Sequence, residues 1–341
     1  MSRLNKTQPK ARFWLKIFLL LLPFSSIVAV YFIFDPFMVL HSYKRFDKSH
    51  VMLGEAYVGW QNYMANRDSI GYNSFIMGNS CTMAFKTTDW EKYLNSGDRA
   101  VRFFEAGESL GGVCQKLQAL DSVGAPIKHV LVIVNKNLLK DIYPIQEKGR
   151  LFSAEVAKVS QFAFQLSFLQ KFLEPSFFVP YLDYRIRGKY APYMKGIINP
   201  GPPIREPYTN NFINPREREI QREGEQYWLL HKEEFPPRKD AGMEEERTIY
   251  NEQLKLLRKI KNVCDRHGAD LKFVIGPEYN QKKINIKDVK LLKGMLGESS
   301  VWDFTGVNPY TADIHNYYDK GHYRPKLGVQ LLKQIYHQMN R

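Results

Sequence analysis

The apolar residues of this chain fall into short apolar-rich runs that alternate with longer stretches in which they recur every three or four positions. Short runs ending at glycine or a polar turn are typical of buried strands, and the longer periodic stretches are typical of helices. The predicted strands cover 74–77, 101–104, 129–134, 271–275 and 301–304. The predicted helices cover 55–66, 113–120, 243–267 and 287–296, with another beginning at Thr88 and a last one running from Leu327. This alternation predicts an α/β domain with a mostly parallel sheet and helices on both faces.

One apolar run is too long for a buried strand. Residues 17–34 read IFLLLLPFSSIVAVYFIF without a charge, and five Lys or Arg residues precede them. This length is close to the roughly 20 residues that cross a bilayer core, and the basic cluster favours a cytoplasmic N-terminus. A cleaved signal peptide is the alternative, but the run is longer than a usual h-region and no small-x-small site follows it. We therefore predict a cytoplasmic basic tail over 1–16, a single-pass transmembrane anchor over 17–34 and an extracytoplasmic remainder.

The part of the chain after the anchor divides by composition. Residues 35–70 are predicted to be a juxtamembrane connector, and residues 71–341 to form the α/β domain. The strand and helix rhythm breaks at about 150–240, where Phe, Tyr, Pro and Arg are interleaved and a helix near 153–173 is predicted. We interpret this stretch as an insertion or lid. Its aromatic and basic part, 177–195, could stack on sugar rings, rest on the membrane surface or pack as core.

Composition narrows the partners of such a domain. With 341 residues and 44% apolar content the chain can fill a large core, and its net charge is +14. A basic exported domain is either simply well solvated or attracted to anionic lipid headgroups or acidic glycans, and nucleic acid is a poor partner there. Three scattered cysteines do not suit a disulfide scaffold or a zinc site, and Asp313 and His315 lack a third metal ligand at suitable spacing. We predict no metal and no cofactor, and interpret Cys81 as a small buried hydrophobe.

The candidate chemistry begins with Asp319 and His322, on a loop punctuated by Gly and Pro that leads into the last helix. Such a pair can supply a base and the carboxylate that fixes its tautomer. Gly-x-Ser occurs three times, at Ser80, Ser109 and Ser299. Only Ser80 follows the opening strand of the domain at a tight turn, whereas Ser109 suits a helix cap and Ser299 an ordinary loop. Ser80 is therefore the candidate nucleophile.

Several of these residues follow successive strands of the predicted sheet. Sites in parallel sheets form at the carboxyl ends of the strands, so these residues are expected at one edge. They are Ser80, Gly107, Asn137 and the loop 319–322. Asn135 is an alternative to Asn137, and Gly111 and Gly112 compete with Gly107.

This order of residues resembles the SGNH superfamily of hydrolases and acyltransferases, whose signature residues are serine, glycine, asparagine and histidine. The opening block is Gly78-Asn79-Ser80, where the family usually has Gly-Asp-Ser, and of the third block only the key asparagine is present. The final block, Asp319-Lys320-Gly321-His322, matches at both functional positions. The resemblance covers about 71–140 and 270–335, and it implies a flavodoxin-like, three-layer α/β/α fold.

The resemblance also implies roles for individual residues. Ser80 would attack an acyl carbonyl, His322 would act as its base, and Asp319 would hold the imidazole. The oxyanion would be held by the backbone N–H groups of Ser80 and Gly107 and by the side-chain amide of Asn137.

The anchor, the basic exported domain and the HYRP ending at 322–325 look most like envelope members of the superfamily. Those resemble proteins of teichoic-acid D-alanylation and exopolysaccharide O-acetylation systems, which work beside a membrane-bound acyltransferase. We therefore expect a membrane-anchored serine acyl-esterase or O-acyltransferase that acts on an acylated cell-envelope glycan. A membrane-bound O-acyltransferase and membrane lipid are its expected partners.

Two alternatives remain at this stage. The departures at Asn79, Asn135 and Leu138 fit a non-catalytic subunit that binds glycan or scaffolds a membrane acyltransferase. A lipid esterase, with 150–240 as a membrane-facing lid, is the other. Reaction with a serine-directed phosphonate separates the first alternative from an enzyme, and a preference for long-chain over acetyl esters identifies the second.

Overall fold

The computed structural model describes residues 8–337 and contains a five-stranded sheet in which every neighbouring pair is parallel. The strand order is β2-β1-β3-β4-β5. The strands are β1 (Ser74–Gly78), β2 (Ala100–Phe104), β3 (His129–Val134), β4 (Asp270–Ile275) and β5 (Val301–Asp303), and a separate antiparallel hairpin joins β6 (Tyr317–Asp319) to β7 (His322–Tyr323). The five predicted strands are confirmed, each to within one residue at its ends.

The helices of the described residues are of very different lengths. They are α1 (Gln8–Phe34), α2 (Glu55–Ile70), α3 (Thr87–Trp90), α4 (Leu110–Ser122), α5 (Lys136–Lys140), α6 (Ala154–Ala157), α7 (Gln161–Phe172), α8 (Pro175–Arg187), α9 (Pro215–Glu223), α10 (Gln226–Leu230), α11 (Asn251–His267), α12 (Ile286–Leu296), α13 (Pro309–Ala312) and α14 (Pro325–His337). Single 3₁₀ turns cover Ser80–Ala84, Glu91–Tyr93, Pro192–Met194, Lys232–Glu234 and Ile314–Asn316.

Helices cover both faces of the sheet. Helices α2, α4, α11 and α12 contribute to one buried apolar cluster, and α14 and the 3₁₀ turn after β1 contribute to the other. The central strands are therefore buried on both sides, which explains why β3 reads as an almost unbroken apolar run. The fold is α/β, as predicted.

Helix α2 lies on the sheet, although the sequence placed it in a connector over 35–70. Its Trp60 and Tyr63 rings pack against Phe103 of β2, with ring centroids 6.3 and 5.8 Å apart. These aromatic side chains give α2 an apolar face that only the sheet can bury. The connector proper is consequently confined to residues 35–54.

Helix α11 begins at Asn251, later than the predicted start at Met243. The buried Asp288 carboxylate accepts hydrogen bonds from the backbone N–H groups of Thr248 (2.7 Å) and Ile249 (3.3 Å). These bonds to a distant side chain replace the intrahelical bonds that 243–250 would otherwise form.

Helix α1 contains the whole predicted anchor. Its stretch Lys10–Phe34 has a peak mean hydropathy of 2.5 and is long and apolar enough to cross a membrane. Of the predicted basic tail, residues 1–7 lie outside the described residues, as do residues 338–341 at the other end of the chain, and residues 8–16 form the first turns of α1.

The segment predicted as one insertion, 150–240, packs as two separate halves. We call 151–198 the anchor-side half, because α6, α7 and α8 pack with the end of α1 and with the connector. We call 199–240 the loop-side half, because α9 and α10 pack against the β6–β7 hairpin. The predicted helix near 153–173 is split between α6 and α7 at Lys158, whose left-handed backbone (φ +56°) ends the first turn.

Candidate active site

The first element of the site is the sharp turn after β1. Gly78 has φ +138°, and a Cβ there would lie 2.1 Å from the carbonyl oxygen of Ile133, so only glycine fits. Asn79 then caps the 3₁₀ turn by accepting a hydrogen bond from the backbone N–H of Cys81 (3.0 Å). This turn presents the Ser80 side chain at the carboxyl edge of the sheet.

The β6–β7 hairpin brings the other two residues to the same place. The Oγ of Ser80 lies 2.9 Å from Nε2 of His322, and Nδ1 of His322 lies 2.9 Å from a carboxylate oxygen of Asp319. The carboxylate can only accept, so Nδ1 carries the proton and Nε2 is free to accept from the serine hydroxyl. The structure thus joins Ser80, His322 and Asp319 in one hydrogen-bonded series.

Two further glycines allow the hairpin and the serine turn to approach each other. A Cβ at Gly328 of α14 would lie 1.9 Å from the carbonyl oxygen of Ala84, and one at Gly276 would lie 2.7 Å from the hydroxyl of Tyr323. Because these side chains are absent, α14 packs directly on the Ser80 turn and β7 packs directly beside the end of β4.

The charge on Asp319 is maintained by its surroundings. Burial raises the pKa of this carboxyl, but the bond from His322, the backbone N–H of Gly321 (2.7 Å) and the charge of Arg216 outweigh burial, so the net pKa lies below its ordinary value. Nη1 of Arg216 lies 2.9 Å from Asp319 Oδ2. The carboxylate is therefore ionised whenever His322 can act as a base.

Arg216 was not among the predicted site residues. It comes from α9 in the loop-side half, and the Glu234 carboxylate holds its guanidinium from the other side (2.7 Å to Nη2). Two other residues of this half donate to backbone carbonyls of the hairpin: the hydroxyl of Tyr227 to Tyr318 (2.7 Å) and the indole of Trp228 to Tyr317 (3.2 Å). No local spacing links Arg216 to Asp319, and the only sequence signal was the density of charge in PREREIQRE.

Gly107 lies on the loop that follows β2, the strand next to β1. Its backbone is left-handed (φ +74°) and exposed. The loop is held on both sides of this glycine, by an ion pair from Arg150 to Glu105 (2.6 Å) and by a buried ion pair between Lys116 and Glu108. Its predicted place in the oxyanion hole stays a prediction.

Asn137 and its alternative Asn135 lie in different surroundings. Asn137 is exposed on α5, and its side chain makes no hydrogen bond to any residue of the described range 8–337. Asn135 caps α5 by accepting from the backbone N–H of Leu138 (3.0 Å), and its side-chain oxygen also accepts from the amide of Asn79 (3.0 Å). The structure therefore places Asn135, and not Asn137, in contact with the turn that carries Ser80.

Glu278, a few residues after β4, is a second residue that sequence reasoning missed. Its Oε1 lies 3.4 Å from the amide nitrogen of Asn135. Burial and then the charge of Glu245 raise the pKa of Glu278, against the opposing bond from Asn135. Its position just beyond the end of a strand was the signal that could have identified it.

Cys81, beside the candidate nucleophile Ser80, does not compete with it for that role. Cys81 is buried, and its sulfur contacts the carbonyl oxygen of Gly321 at 3.6 Å. Burial raises the pKa of this thiol far above its ordinary value. Since the thiolate is the reactive form, Cys81 acts as the small buried hydrophobe expected from the sequence.

Two groups of side chains resemble metal ligands. Both ring nitrogens of His315 are occupied by carboxylates, Asp313 at 2.6 Å and Glu225 at 2.9 Å. Among residues 8–337, the one group of three ligand-type side chains close enough to share an ion is Glu219, Glu223 and His231. The Nε2 atom of its histidine already lies within hydrogen-bonding distance of Glu219 (3.0 Å).

We call residues 319–322 the triad loop, because they carry Asp319 and His322, two of the three residues in the series with Ser80. A cleft of about 280 Å³ opens beside this loop. Lys320, which stands between Asp319 and His322 in sequence, lines the cleft together with basic side chains and two proline rings. The other lining residues are Pro236, Pro237, Arg238, Lys239, Asp240, Tyr279, Asn280 and Lys282. Four cationic groups against one carboxylate give this cleft a positive potential.

A scan against models of protein families and a search of curated proteins found no match to this chain. The chemistry of the site therefore follows from its geometry. A serine hydroxyl, an imidazole and a carboxylate in hydrogen-bonded series are the groups that convert an inert hydroxyl into a nucleophile at neutral pH.

Proposed function

We propose that this protein is a membrane-anchored serine acyl-esterase or O-acyltransferase of the SGNH type, acting on a cell-envelope glycan. The observation that carries the proposal is the unbroken series Ser80 Oγ, His322 Nε2 and Nδ1, and Asp319, with both hydrogen bonds at 2.9 Å. Ser80 is 242 positions from His322 in sequence, and Asp319 is 3 positions from His322. Each of the three side chains has the chemistry that the series requires.

In the proposed reaction, Ser80 Oγ attacks the carbonyl carbon of an ester while His322 Nε2 takes the hydroxyl proton. Asp319 stabilises the resulting imidazolium without taking the proton. His322 then returns the proton to the leaving alcohol, and an acyl-serine remains. Water completes hydrolysis, or a glycan hydroxyl completes transfer, with His322 again acting as base. The proposed oxyanion donors are the backbone N–H groups of Ser80 and Gly107, with the side chain of Asn137 or Asn135.

The order of the strands supports the SGNH assignment. The order 2-1-3-4-5 is that of flavodoxin-like doubly wound sheets, in which ligands bind at the carboxyl ends of the strands. Ser80 follows β1 at that edge, and the triad loop packs beside Gly276 after β4. A three-layer fold of this type is consistent with a catalytic edge assembled from distant loops.

The proposed location and partners follow from α1 and the charge of the chain. We propose that α1 crosses the cell membrane once and that the α/β domain lies on the extracytoplasmic side, because basic residues precede the apolar span. The positive cleft beside Lys320 favours an anionic envelope polymer as the acylated substrate. A membrane-bound O-acyltransferase remains the proposed partner for transfer.

The first experiment measures ester hydrolysis. Purified full-length protein in detergent is assayed with p-nitrophenyl acetate, comparing wild type with Ser80→Ala, His322→Ala and Ser299→Ala. Ser299 also lies in a Gly-x-Ser sequence, but on an exposed loop, so it is a matched control. Loss of either triad residue is expected to lower kcat about 10³- to 10⁶-fold, and Ser299→Ala to leave it unchanged. An active wild type with fully active Ser80→Ala protein would refute the assignment.

A second measurement separates an enzyme from a non-catalytic subunit. A fluorophosphonate probe is expected to label wild type at Ser80 and to leave Ser80→Ala unlabelled, because only an activated hydroxyl reacts. Absence of labelling in folded wild type would favour the binding or scaffolding role. Comparison of acetyl with long-chain esters then distinguishes glycan deacylation from lipid hydrolysis.

A further inference from the structure

The α7–α8 hairpin of the anchor-side half packs against the last turns of the membrane-type helix. Tyr31 of α1 is only 1% exposed, and its ring centroid lies 5.4 Å from that of Phe172 at the end of α7. Ile27 and Val30 of α1 pack against the same cluster. At the end of α1, the guanidinium of Arg185 lies 4.2 Å above the ring of Phe34. The hairpin is therefore attached to the apolar span itself.

These contacts fix the depth of the hairpin relative to a bilayer. The uncharged run 17–34 is about 27 Å long as a helix, close to the roughly 30 Å of a hydrocarbon core. Ile27 lies only about 10 Å before Phe34 along the helix axis. If α1 spans the membrane, the parts of the hairpin that contact Tyr31 and Phe34, which are Phe172 and Arg185, must lie at the level where acyl chains meet headgroups.

The outer face of the hairpin carries large apolar side chains that nothing in the described chain covers. The inner face of α7 is used in the core, through Phe164, Phe168 and Phe172. On the outside, Phe162 is 76% exposed and Ile186 is 79% exposed. Leu166 of α7 and Val179 of α8 are also exposed, as are Val159, Tyr190 and Tyr193 in the segments that flank the two helices. A soluble surface rarely concentrates such side chains, whereas an interfacial helix does.

The same surface is basic. Residues 158–195 contain six Lys or Arg and two Asp or Glu. Arg185, Arg187, Lys189 and Lys195 are exposed. A cavity of about 290 Å³ lies where α1 ends, and Lys48, His50 and Arg185 are among its lining residues. Asp35 also lines this cavity, so basic groups outnumber acidic ones there. Basic groups beside a membrane attract the phosphates of anionic lipids.

We propose that the α7–α8 hairpin is a second membrane contact, which inserts its outer apolar side chains among the headgroups of a bilayer containing anionic lipid. The proposal rests on the proposed membrane anchoring by α1, but not on the hydrolytic chemistry. Its consequence is orientation: one helix alone leaves a domain free to tilt and rotate, whereas a helix plus a lateral hairpin holds the catalytic edge at one height above the membrane.

The test uses single cysteines that carry an environment-sensitive NBD label, in full-length protein reconstituted into vesicles. The three native cysteines are all buried, so labelling is directed to the introduced residues Phe162→Cys and Ile186→Cys. Val307→Cys is the control, because Val307 is 64% exposed beyond β5, at the opposite edge of the sheet from β2. Leu21→Cys, in the middle of the apolar run, reports on the anchor itself.

Each label is exposed to lipids carrying a nitroxide near the headgroup and, separately, to aqueous iodide. In vesicles of phosphatidylglycerol and phosphatidylcholine, the labels at 162 and 186 are expected to be quenched by the shallow nitroxide and protected from iodide. The label at 307 should be quenched by iodide and not by the shallow nitroxide. In addition, the double reversal Arg187→Glu with Lys189→Glu should lower lipid quenching at 162 at least twofold, and leave quenching at 21 by deep nitroxides unchanged.

The outcomes distinguish the two proposals. If the label at 21 is quenched by deep nitroxides while those at 162 and 186 behave like 307, the hairpin proposal is overturned and the anchor stands. If the label at 21 is not quenched, the anchoring by α1 fails and the hairpin proposal fails with it. If quenching at 162 and 186 is the same in pure phosphatidylcholine, the contact is apolar and the requirement for anionic lipid is wrong.

Discussion

The two halves of the segment 151–240 are continuous in sequence and yet are held in place by different interactions. The anchor-side half is held by rings: the centroid of Phe168 lies 4.9 Å from that of Tyr57 and 5.4 Å from that of Phe37. The loop-side half is held by directed polar contacts, such as the bonds from Arg216 to Asp319 and from Arg324 to Glu217 (2.7 Å). One half attaches the domain to α1, and the other shapes the triad loop.

The difference matches what each half must do. Apolar burial is strong but non-directional, so it can hold a hairpin against α1 without fixing the position of any one atom closely. Hydrogen bonds and ion pairs depend on distance and angle, so they can hold a carboxylate in line with an imidazole. Substitutions of the buried rings in the anchor-side half should therefore affect mainly stability, whereas substitutions of the loop-side residues that position Asp319 and the hairpin should also affect catalysis.

The largest effect is expected from Phe168→Ala in the anchor-side half. Phe168 is fully buried among other rings, and its truncation leaves a cavity, so the free energy of unfolding should fall by about 3–5 kcal/mol. Chemical denaturation in detergent measures the loss. Phe162→Ala on the exposed side of the same helix is the control and should change stability by less than about 0.5 kcal/mol. Equal losses of unfolding free energy in the two variants would contradict the inference that the buried rings hold the anchor-side half in place.

The second effect concerns catalysis and comes from Arg216→Gln. Arg216 holds the Asp319 carboxylate in line with His322, so its loss should lower kcat about 10- to 100-fold. A hydrogen bond to a charged group contributes about 1.5–3 kcal/mol, so the free energy of unfolding should fall by up to about 3 kcal/mol, less than for Phe168→Ala. Arg216 lowers the pKa of Asp319, so without it the carboxylate stabilises the His322 imidazolium more fully. The acidic limb of the pH–rate profile should consequently move to higher pH.

Arg218→Gln provides the matched control for Arg216. Arg218 lies on the same helix, two residues further on, and donates to the exposed carbonyl of Pro203 at 3.0 Å. Its loss should leave both kcat and the pH–rate profile unchanged. A uniform fall in kcat for Arg216→Gln without any movement of the acidic limb would mean that Arg216 acts only through folding.

A third and smaller effect concerns acid. Burial raises the pKa of Glu217, but bonds from Arg324 and from the hydroxyl of Tyr318 (2.6 Å) outweigh it, so the net pKa lies below the ordinary value of 4.5. A carboxyl with a lowered pKa stabilises the fold above its unfolded pKa, and the stabilisation is lost as the pH falls through the folded pKa. The free energy of unfolding of the wild type should therefore decrease as the pH is lowered below about 4.5.

Glu217→Gln sharpens this acid prediction. The variant should be less stable than wild type at pH 6 and should lose less on acidification, because it has no carboxylate to protonate. Urea midpoints at pH 6, 4.5 and 3.5 measure both slopes. If the urea midpoint decreases equally with falling pH in the two proteins, the acid sensitivity comes from other carboxyls.

The smallest effect is expected from Trp228→Phe. The change keeps a ring in the cluster with Tyr227 and removes the indole N–H that donates to the carbonyl of Tyr317. A buried hydrogen bond of this kind contributes about 0.5–1.5 kcal/mol, so a small loss of stability and a loss in kcat of less than about tenfold are expected. Thermal unfolding and ester hydrolysis measure these losses. A loss in kcat as large as that of Arg216→Gln would show that the indole hydrogen bond to Tyr317 positions the hairpin as strongly as the ion pair does.

Much of the fold could be predicted because its signals are local. The strands of the sheet are short runs rich in apolar residues, with turns at their ends. Ser109 was expected as a helix cap and does accept from the backbone N–H of Gly112 (3.0 Å). Helix α11 was predicted eight residues too early because its start depends on Asp288, about 40 positions away. A pattern read within one window cannot include such a partner.

The candidate site shows the same limit. Ser80, His322 and Asp319 were predicted from their turns and from their order along the chain, and the structure brings all three together. The choice between Asn137 and Asn135 depended on which residue caps a short helix. Arg216 could not be found, since its partner lies 103 positions away on an element that packs there only through tertiary contacts.

The sequence alone determined the alternation of strands and helices, the uncharged run 17–34 and the residue types able to act as nucleophile, base and acid. These follow from hydrophobic periodicity and side-chain chemistry, which are properties of neighbouring residues. Only the tertiary structure decided that the segment 151–240 divides between the end of α1 and the triad loop, and that Arg216 and Asn135 adjoin the site. Those outcomes depend on burial and on distances between residues far apart in the chain, which exist only once the chain has packed.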